Sequence, residues 1–126
     1  MIVDPPFFSI VIPTYNRGQM IVNTVQSILK QKFVSFELII VDDGSTDNTS
    51  DLISSISDKR LIYMWKENGE RGAARNYGSK HARGQYINFI DSDDLIYPNH
   101  LEVAKEFILT NQNPEVFHLG YDVRGV

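Results

Sequence analysis

Four short apolar runs punctuate the chain, Phe7–Pro13, Phe36–Val41, Leu61–Trp65 and Tyr86–Ile90, and each gives way to polar residues before a stretch with apolar positions three and four apart. Continuous β-branched and aromatic runs of this length are the mark of buried strands, while the three-and-four spacing marks amphipathic helices. Ile21, Thr24, Val25, Ile28 and Leu29 define the first helix, and Leu52, Ile53 and Ile56 the second. The third, over about 70–82, carries Ala74, Gly78 and Ala82 at intervals of four. Such a small-residue stripe lets a helix lie close to a sheet, although glycine itself disfavours helix. Pro98, Leu101, Ala104 and Ile108 mark a fourth, with Pro98 near its first turn, and 115–121 reads as a fifth strand. Strands alternating with helices require a mainly parallel sheet, because right-handed crossovers lay the helices on its faces. The expected fold class is therefore α/β: a doubly wound, mainly parallel sheet with helices on both faces.

Length and charge narrow the partners. A chain of 126 residues with 42% hydrophobic content builds one core and not two. Its formal charge of −4, with basic residues scattered along the sequence, argues against nucleic acid as a partner. With no cysteine, the chain has no disulfide framework, thiolate zinc site or cysteine nucleophile, which fits a reducing, cytoplasmic setting. Neither a basic leader nor an apolar stretch approaching the ~18 residues of a membrane helix is present. Asn48-Thr49-Ser50 fits the glycosylation pattern, which is short enough to arise by chance. The first strand is followed by no nucleophile elbow, Walker-type loop or Gly-x-Gly-x-x-Gly turn, so hydrolase, P-loop and dinucleotide readings lose ground.

The Pro13–Asn16, Asp42–Ser45 and Asp91–Asp94 turns all fall where a strand ends, which places them at one edge of the sheet. Ligands of open α/β sheets bind there, where strand order reverses. Asp91, Asp93 and Asp94 crowd carboxylates that repel one another unless a cation intervenes, and Mg2+ or Mn2+ suits such oxygen ligands. The same triplet would also serve as a solvated turn capping the next helix. Asp42-Asp43-Gly44-Ser45 has a capping reading too, beside one in which a carboxylate accepts a ring N–H of a base. Thr14 and Tyr15 suit either a plain loop or a hydroxyl and a stacking ring for a planar ligand. Arg71 and Arg75, four apart, share a helix face that is either solvated or turned to a diphosphate. His81, His100 and His118 lack ligand spacing and read as ordinary surface or boundary positions.

With these residues assembled, the chain resembles the nucleotide-sugar-binding half of the inverting glycosyltransferases of the GT-A type, in the large family 2. The resemblance rests on Ser9–Asn16, Glu37–Ser45, Ala74-Arg75-Asn76 with Gly78, and Gly84–Asp94, in the family's order and spacing. It implies a Rossmann-like donor-binding domain over 1–126, cut short at its C-terminal end. It also implies that Pro13, Thr14 and Tyr15 line a base pocket and that Asp43 pairs with a uracil-like edge, leaving Asp42 to support the turn. Asp91 and Asp93 match the family's Asp-x-Asp motif: Asp93 would hold the divalent ion on the diphosphate and Asp91 approach the ribose or the metal shell, with Asp94 a second contributor. Arg71 and Arg75 fall in the segment that supplies a basic donor contact.

The implied reaction transfers sugar from a nucleoside-diphosphate sugar, a UDP-sugar above all, to an acceptor hydroxyl with inversion and with Mn2+ or Mg2+ as cofactor. The acceptor would be a glycan, a lipid-linked saccharide or a protein, and membrane association would come through downstream sequence. No catalytic base is assigned: Glu102 and Glu106 look like helix surface, and Glu115 and Asp122 lack context. A receiver-like phosphoacceptor domain, a noncatalytic nucleotide-binding module and a nucleotidyltransferase are the rival readings. The receiver expects its acidic pair after the first strand, whereas Asp42-Asp43 follows the second, and Asn16-Arg17-Gly18 is a poor nucleotidyltransferase loop.

Overall fold

The computed structural model of the chain describes residues 5–111, so the strand expected over 115–121 and His118 lie outside the described residues. Its elements run β1 (Phe8–Thr14), α1 (Gly18–Leu29), β2 (Phe36–Asp42), α2 (Thr49–Ser54), β3 (Leu61–Trp65), α3 (Arg71–His81), β4 (Tyr86–Phe89) and α4 (His100–Thr110). The strands form a parallel sheet in the order β3-β2-β1-β4. Every residue of β2 is buried, and so is all of β1 but Pro13, as continuous apolar runs require when a strand is covered on both faces.

The chain's path explains which helix lies where. The first two crossovers step outward from β1 to β2 to β3, while the third returns past both to set β4 on the other side of β1. Right-handed connections put helices of opposite steps on opposite faces. Accordingly α1 and α2 bury Ile21, Val25, Ile28 and Ile53 against Ile10, Ile12, Leu38 and Ile40, and α4 joins the same core through Leu101 and Ile108. Alternate residues of the same strands, Val11, Ile39 and Val41, meet Ala74 and Tyr77 of α3 on the far face. Each fully buried aliphatic side chain here contributes about 1.5–3 kcal/mol.

The small-residue stripe of α3 does what its spacing predicts. A Cβ at Gly78 would stand 2.5 Å from Val11 Cγ1 and 3.0 Å from Val41 Cγ2, so the helix backbone rests directly on the sheet. At the opposite end from the strand-terminal turns, the buried Glu37 carboxylate ties three segments together. It accepts from Ser9 Oγ at 2.6 Å and from the Arg83 amide at 2.7 Å, and Gly84 N–H donates to Ser9 Oγ at 2.8 Å. This network satisfies a buried charge with directed donors and fixes the α3–β4 connection beneath β1.

Element bounds differ modestly from expectation. β1 and β2 each run one residue further, to Thr14 and Asp42, and α4 starts at His100, past Pro98. Its start is held by α1's trailing residue Gln31, whose Oε1 accepts the Leu101 amide at 3.0 Å while its Nε2 donates to the Tyr97 carbonyl at 2.6 Å. Among the described residues no helix is long and apolar enough to cross a membrane.

Candidate functional site

Strand order reverses at β1: the connection after β1 leads toward β2, while β4 lies on the other side. The loops leaving the two strands therefore part, opening a cleft of about 320 Å³ at their carboxyl ends. Pro13, Thr14, Tyr15, Asp43, Asp91 and Asp93 all line it, and Arg75 reaches it from α3. These seven of the residues singled out from sequence are thus brought together; Asp42 and Asp94 are not among the lining residues, and Arg71 opens α3 with its side chain outside the described residues.

The two adjacent carboxylates after β2 have separate tasks. Asp42 is fully buried; its Oδ1 accepts the Ser45 amide at 2.8 Å and its Oδ2 accepts the Tyr63 hydroxyl. Asp43 turns to the cleft, with its amide bonded to the Thr14 carbonyl at 2.8 Å. Its Oδ1 accepts both Lys66 Nζ at 2.7 Å and the Gly69 amide at 3.1 Å. Neither residue caps α2, which starts after Asn48, and the amide of Thr49 is met by Asp47. Gly44 sits at φ 83°, and a Cβ there would stand 2.7 Å from the Asn68 amide, so the turn needs glycine.

Asn16 locks the loop after β1 to this turn. At φ 50° it donates its amide to Ser45 Oγ at 2.8 Å, and its Oδ1 accepts the Thr46 amide at 2.8 Å. Tyr15 beside it is 47% exposed, leaving its ring free to face a planar ligand. Thr14 is nearly fully buried, and its Oγ1 is the one buried side-chain polar atom among the described residues that finds no hydrogen-bond partner. A cleft-lining hydroxyl left in that state is suited to a ligand atom.

Across the cleft, Asp91, Asp93 and Asp94 each offer a carboxylate oxygen within 4.8 Å of the others. Desolvation first, and then the charges of Asp91 and Asp93, push the Asp94 carboxyl above its ordinary range. The triplet does not cap α4, which starts after Asn99. Thr24 of α1 instead holds it from below, donating to the Ser92 carbonyl at 2.9 Å. Three converging hard oxygens fit a divalent cation such as Mn2+ or Mg2+. Arg75 Nη2 lies 3.2 Å from Asp91 Oδ1, an exposed pair at the mouth of the cleft, with the guanidinium 5.8 Å from the Phe89 ring.

Asn16 and Ser45 fall in the turns singled out from sequence, whereas the site roles of Lys66, Tyr63 and Thr24 were not foreseen there. Lys66 is lone in its loop and reaches Asp43 only because the β2–β3 register sets Asp42 opposite Trp65. His81 and His100 stay outside the cleft: His81 Nδ1 lies 2.9 Å from the Tyr77 carbonyl, and burial pushes the His100 imidazole below its ordinary value beside Asn88.

Known proteins are similar to this chain in sequence and fold. An uncharacterised glycosyltransferase of Rickettsia felis is 45% identical over 104 residues, covering 82% of this chain but only 17% of that protein. S. aureus TarS 1-349 in complex with UDP-GlcNAc superposes with a TM-score of 0.78 at 36% identity, over 83% of this chain and 32% of that one. The mannosyltransferase PcManGT of Pyrobaculum calidifontis, in complex with GDP-Man and Mn2+, gives 0.75 at 25% identity over 83% of this chain and 33% of that one. The chain therefore spans a third or less of these proteins. The sequence profile of glycosyl transferase family 2 matches residues 9–117, most of the chain. On sequence and fold together, the chain belongs to glycosyl transferase family 2.

Proposed function

We propose that this chain is the donor-binding part of an inverting glycosyltransferase that takes a UDP-sugar with Mn2+ or Mg2+ and delivers the sugar to an acceptor hydroxyl on a glycan, a lipid-linked saccharide or a protein. The observation that carries the reading is that Asp43 and Asp93, fifty residues apart, line one cleft with the unpartnered Thr14 hydroxyl between the strand ends that bear them. In this reading Asp43 accepts a base N–H, Tyr15 stacks on the ring, Thr14 donates or accepts at the base or ribose, and Pro13 shapes the wall. Arg75, with Arg71 nearby in sequence, meets the diphosphate. Asp93 and Asp91 would hold the cation, whose charge would stabilise the departing diphosphate.

The acceptor oxygen attacks the anomeric carbon from the face opposite the diphosphate. As the new C–O bond forms, the bond to the diphosphate breaks and its oxygen keeps the electron pair, so configuration inverts. The hydroxyl proton passes to a carboxylate base, which we assign to no described residue. The two solved neighbours hold different nucleotides, UDP-GlcNAc in TarS and GDP-Man in PcManGT; the higher identity to TarS supports a uridine nucleotide here.

Calorimetric titration of UDP with and without Mn2+ tests the reading. The wild-type chain should bind UDP more tightly with Mn2+, and Asp93→Asn should abolish that increment while keeping the metal-free affinity. An unchanged increment in the variant would overturn the metal assignment, and no UDP binding under either condition would overturn the donor assignment.

A further inference from the structure

The Asp43 carboxylate is only half available. Its Oδ1 takes two hydrogen bonds, from Lys66 Nζ and from the Gly69 amide, while its Oδ2 takes none from a described residue. The pair is largely enclosed, with side-chain exposures of 18% for Lys66 and 13% for Asp43. Lys66 is also held by the Glu67 carbonyl at 2.7 Å, and its own amide donates to the Asp42 carbonyl at 2.9 Å, so it is fixed at both ends. A carboxylate oxygen has two lone-pair positions, and both on Oδ1 are filled.

Resting on the donor reading above, we propose that Lys66 is a specificity-determining residue: by occupying one oxygen of Asp43 it leaves a single acceptor, which suits a base edge offering one N–H and disfavours an edge offering two. Uracil presents one imide N–H between two carbonyls. Guanine presents its ring N–H and its 2-amino group side by side, a pair that needs both carboxylate oxygens. With Oδ1 already engaged, the second guanine donor would enter the cleft unpaired, and an unpaired donor removed from water weakens binding about tenfold or more. Lys66 also offsets the charge of Asp43, but that effect bears on every nucleoside diphosphate alike.

Inosine and guanosine diphosphates differ only by the 2-amino group, so their ratio reads the number of free acceptors without the difference in ring size. With the wild-type chain and Mn2+, calorimetry should give IDP an affinity equal to or above that of GDP, with UDP the tightest. In Lys66→Met, with its fold checked by far-UV circular dichroism, one of the two acceptor positions of Oδ1 is freed while the Gly69 amide keeps the other, and the GDP-to-IDP affinity ratio should rise about tenfold; Lys66→Arg should restore the wild-type ratio. Wild-type protein that binds GDP tenfold tighter than IDP would overturn the proposal, and it does so even if Lys66→Met fails to fold. A ratio unmoved in a folded Lys66→Met would overturn it too, with UDP binding and the donor reading intact. Wild-type protein that binds none of the three would remove the donor reading itself.

Discussion

Tyr63 in β3 gives its hydroxyl hydrogen to Asp42 at the end of β2, a carboxylate with no exposure to solvent. Ser45 supplies the other oxygen of Asp42 with a backbone N–H, and Ser45 Oγ in turn accepts the Asn16 amide. One phenol therefore stands at the root of a chain of bonds that shapes both loops of the cleft.

Removing that phenol should loosen the cleft from behind. Tyr63→Phe leaves Asp42 Oδ2 buried without its donor, and we expect a loss of about 1.5–3 kcal/mol in urea unfolding at pH 7. Desolvation and the bond to Asp42 push the phenol up to about 12, above its ordinary value of 10.0. A raised folded value means the protonated form is the stabilised one. The Tyr63 contribution is thus intact below the unfolded value and declines as pH rises through about 12, a decline that Tyr63→Phe should lack. Equal stability of the two proteins at pH 7 would show the bond to be without weight.

Thr14 should show stability and binding moving in opposite directions. Thr14→Val keeps the shape of the side chain while deleting a buried oxygen that has no partner, so the free protein should melt at the same temperature or slightly higher. The same change should weaken UDP binding about five- to tenfold if the hydroxyl meets the nucleotide. Thermal melts with and without UDP and Mn2+ measure both effects. A lower melting temperature for the free variant would mean that Thr14 already has a partner.

Gly78→Ala should destabilise although alanine is the better helix former by about 1 kcal/mol. The new methyl group would meet Val11 and Val41 in a layer without slack, and overpacking of this kind costs about 1–3 kcal/mol. The net change should be a loss of up to about 2 kcal/mol by denaturant unfolding, partly recovered in the double variant Gly78→Ala, Val11→Ala.

The strands and their polar terminal turns were legible because a parallel sheet covered on both faces writes itself as unbroken apolar runs. β1 and β2 are such runs, and the turns after them, with the one after β4, do converge. The capping alternatives for Asp42-Asp43 and Asp91–Asp94 were not separable in sequence, since aspartate favours both tasks; the helices' actual starts after Asn48 and Asn99 remove them. Lys66, Tyr63 and Thr24 were hidden for another reason. Each acts across a non-local pairing: Lys66 and Tyr63 through the register of β2 with β3, and Thr24 across 68 residues to the Ser92 carbonyl. Single residues without a spacing pattern become meaningful only once strand order brings their partners alongside.

The seat of α3 on bare valine has a mechanical corollary. Between Gly78 and the sheet there is no side-chain cushion that could shear, so this helix has nothing to slide on. Arg75, one turn toward its amino end, is carried on a fixed post. Whatever travel the guanidinium needs, from Asp91 at the rim to a guest deeper in, must come from swivelling about its own side-chain bonds, a rearrangement of nanoseconds that leaves the scaffold unmoved.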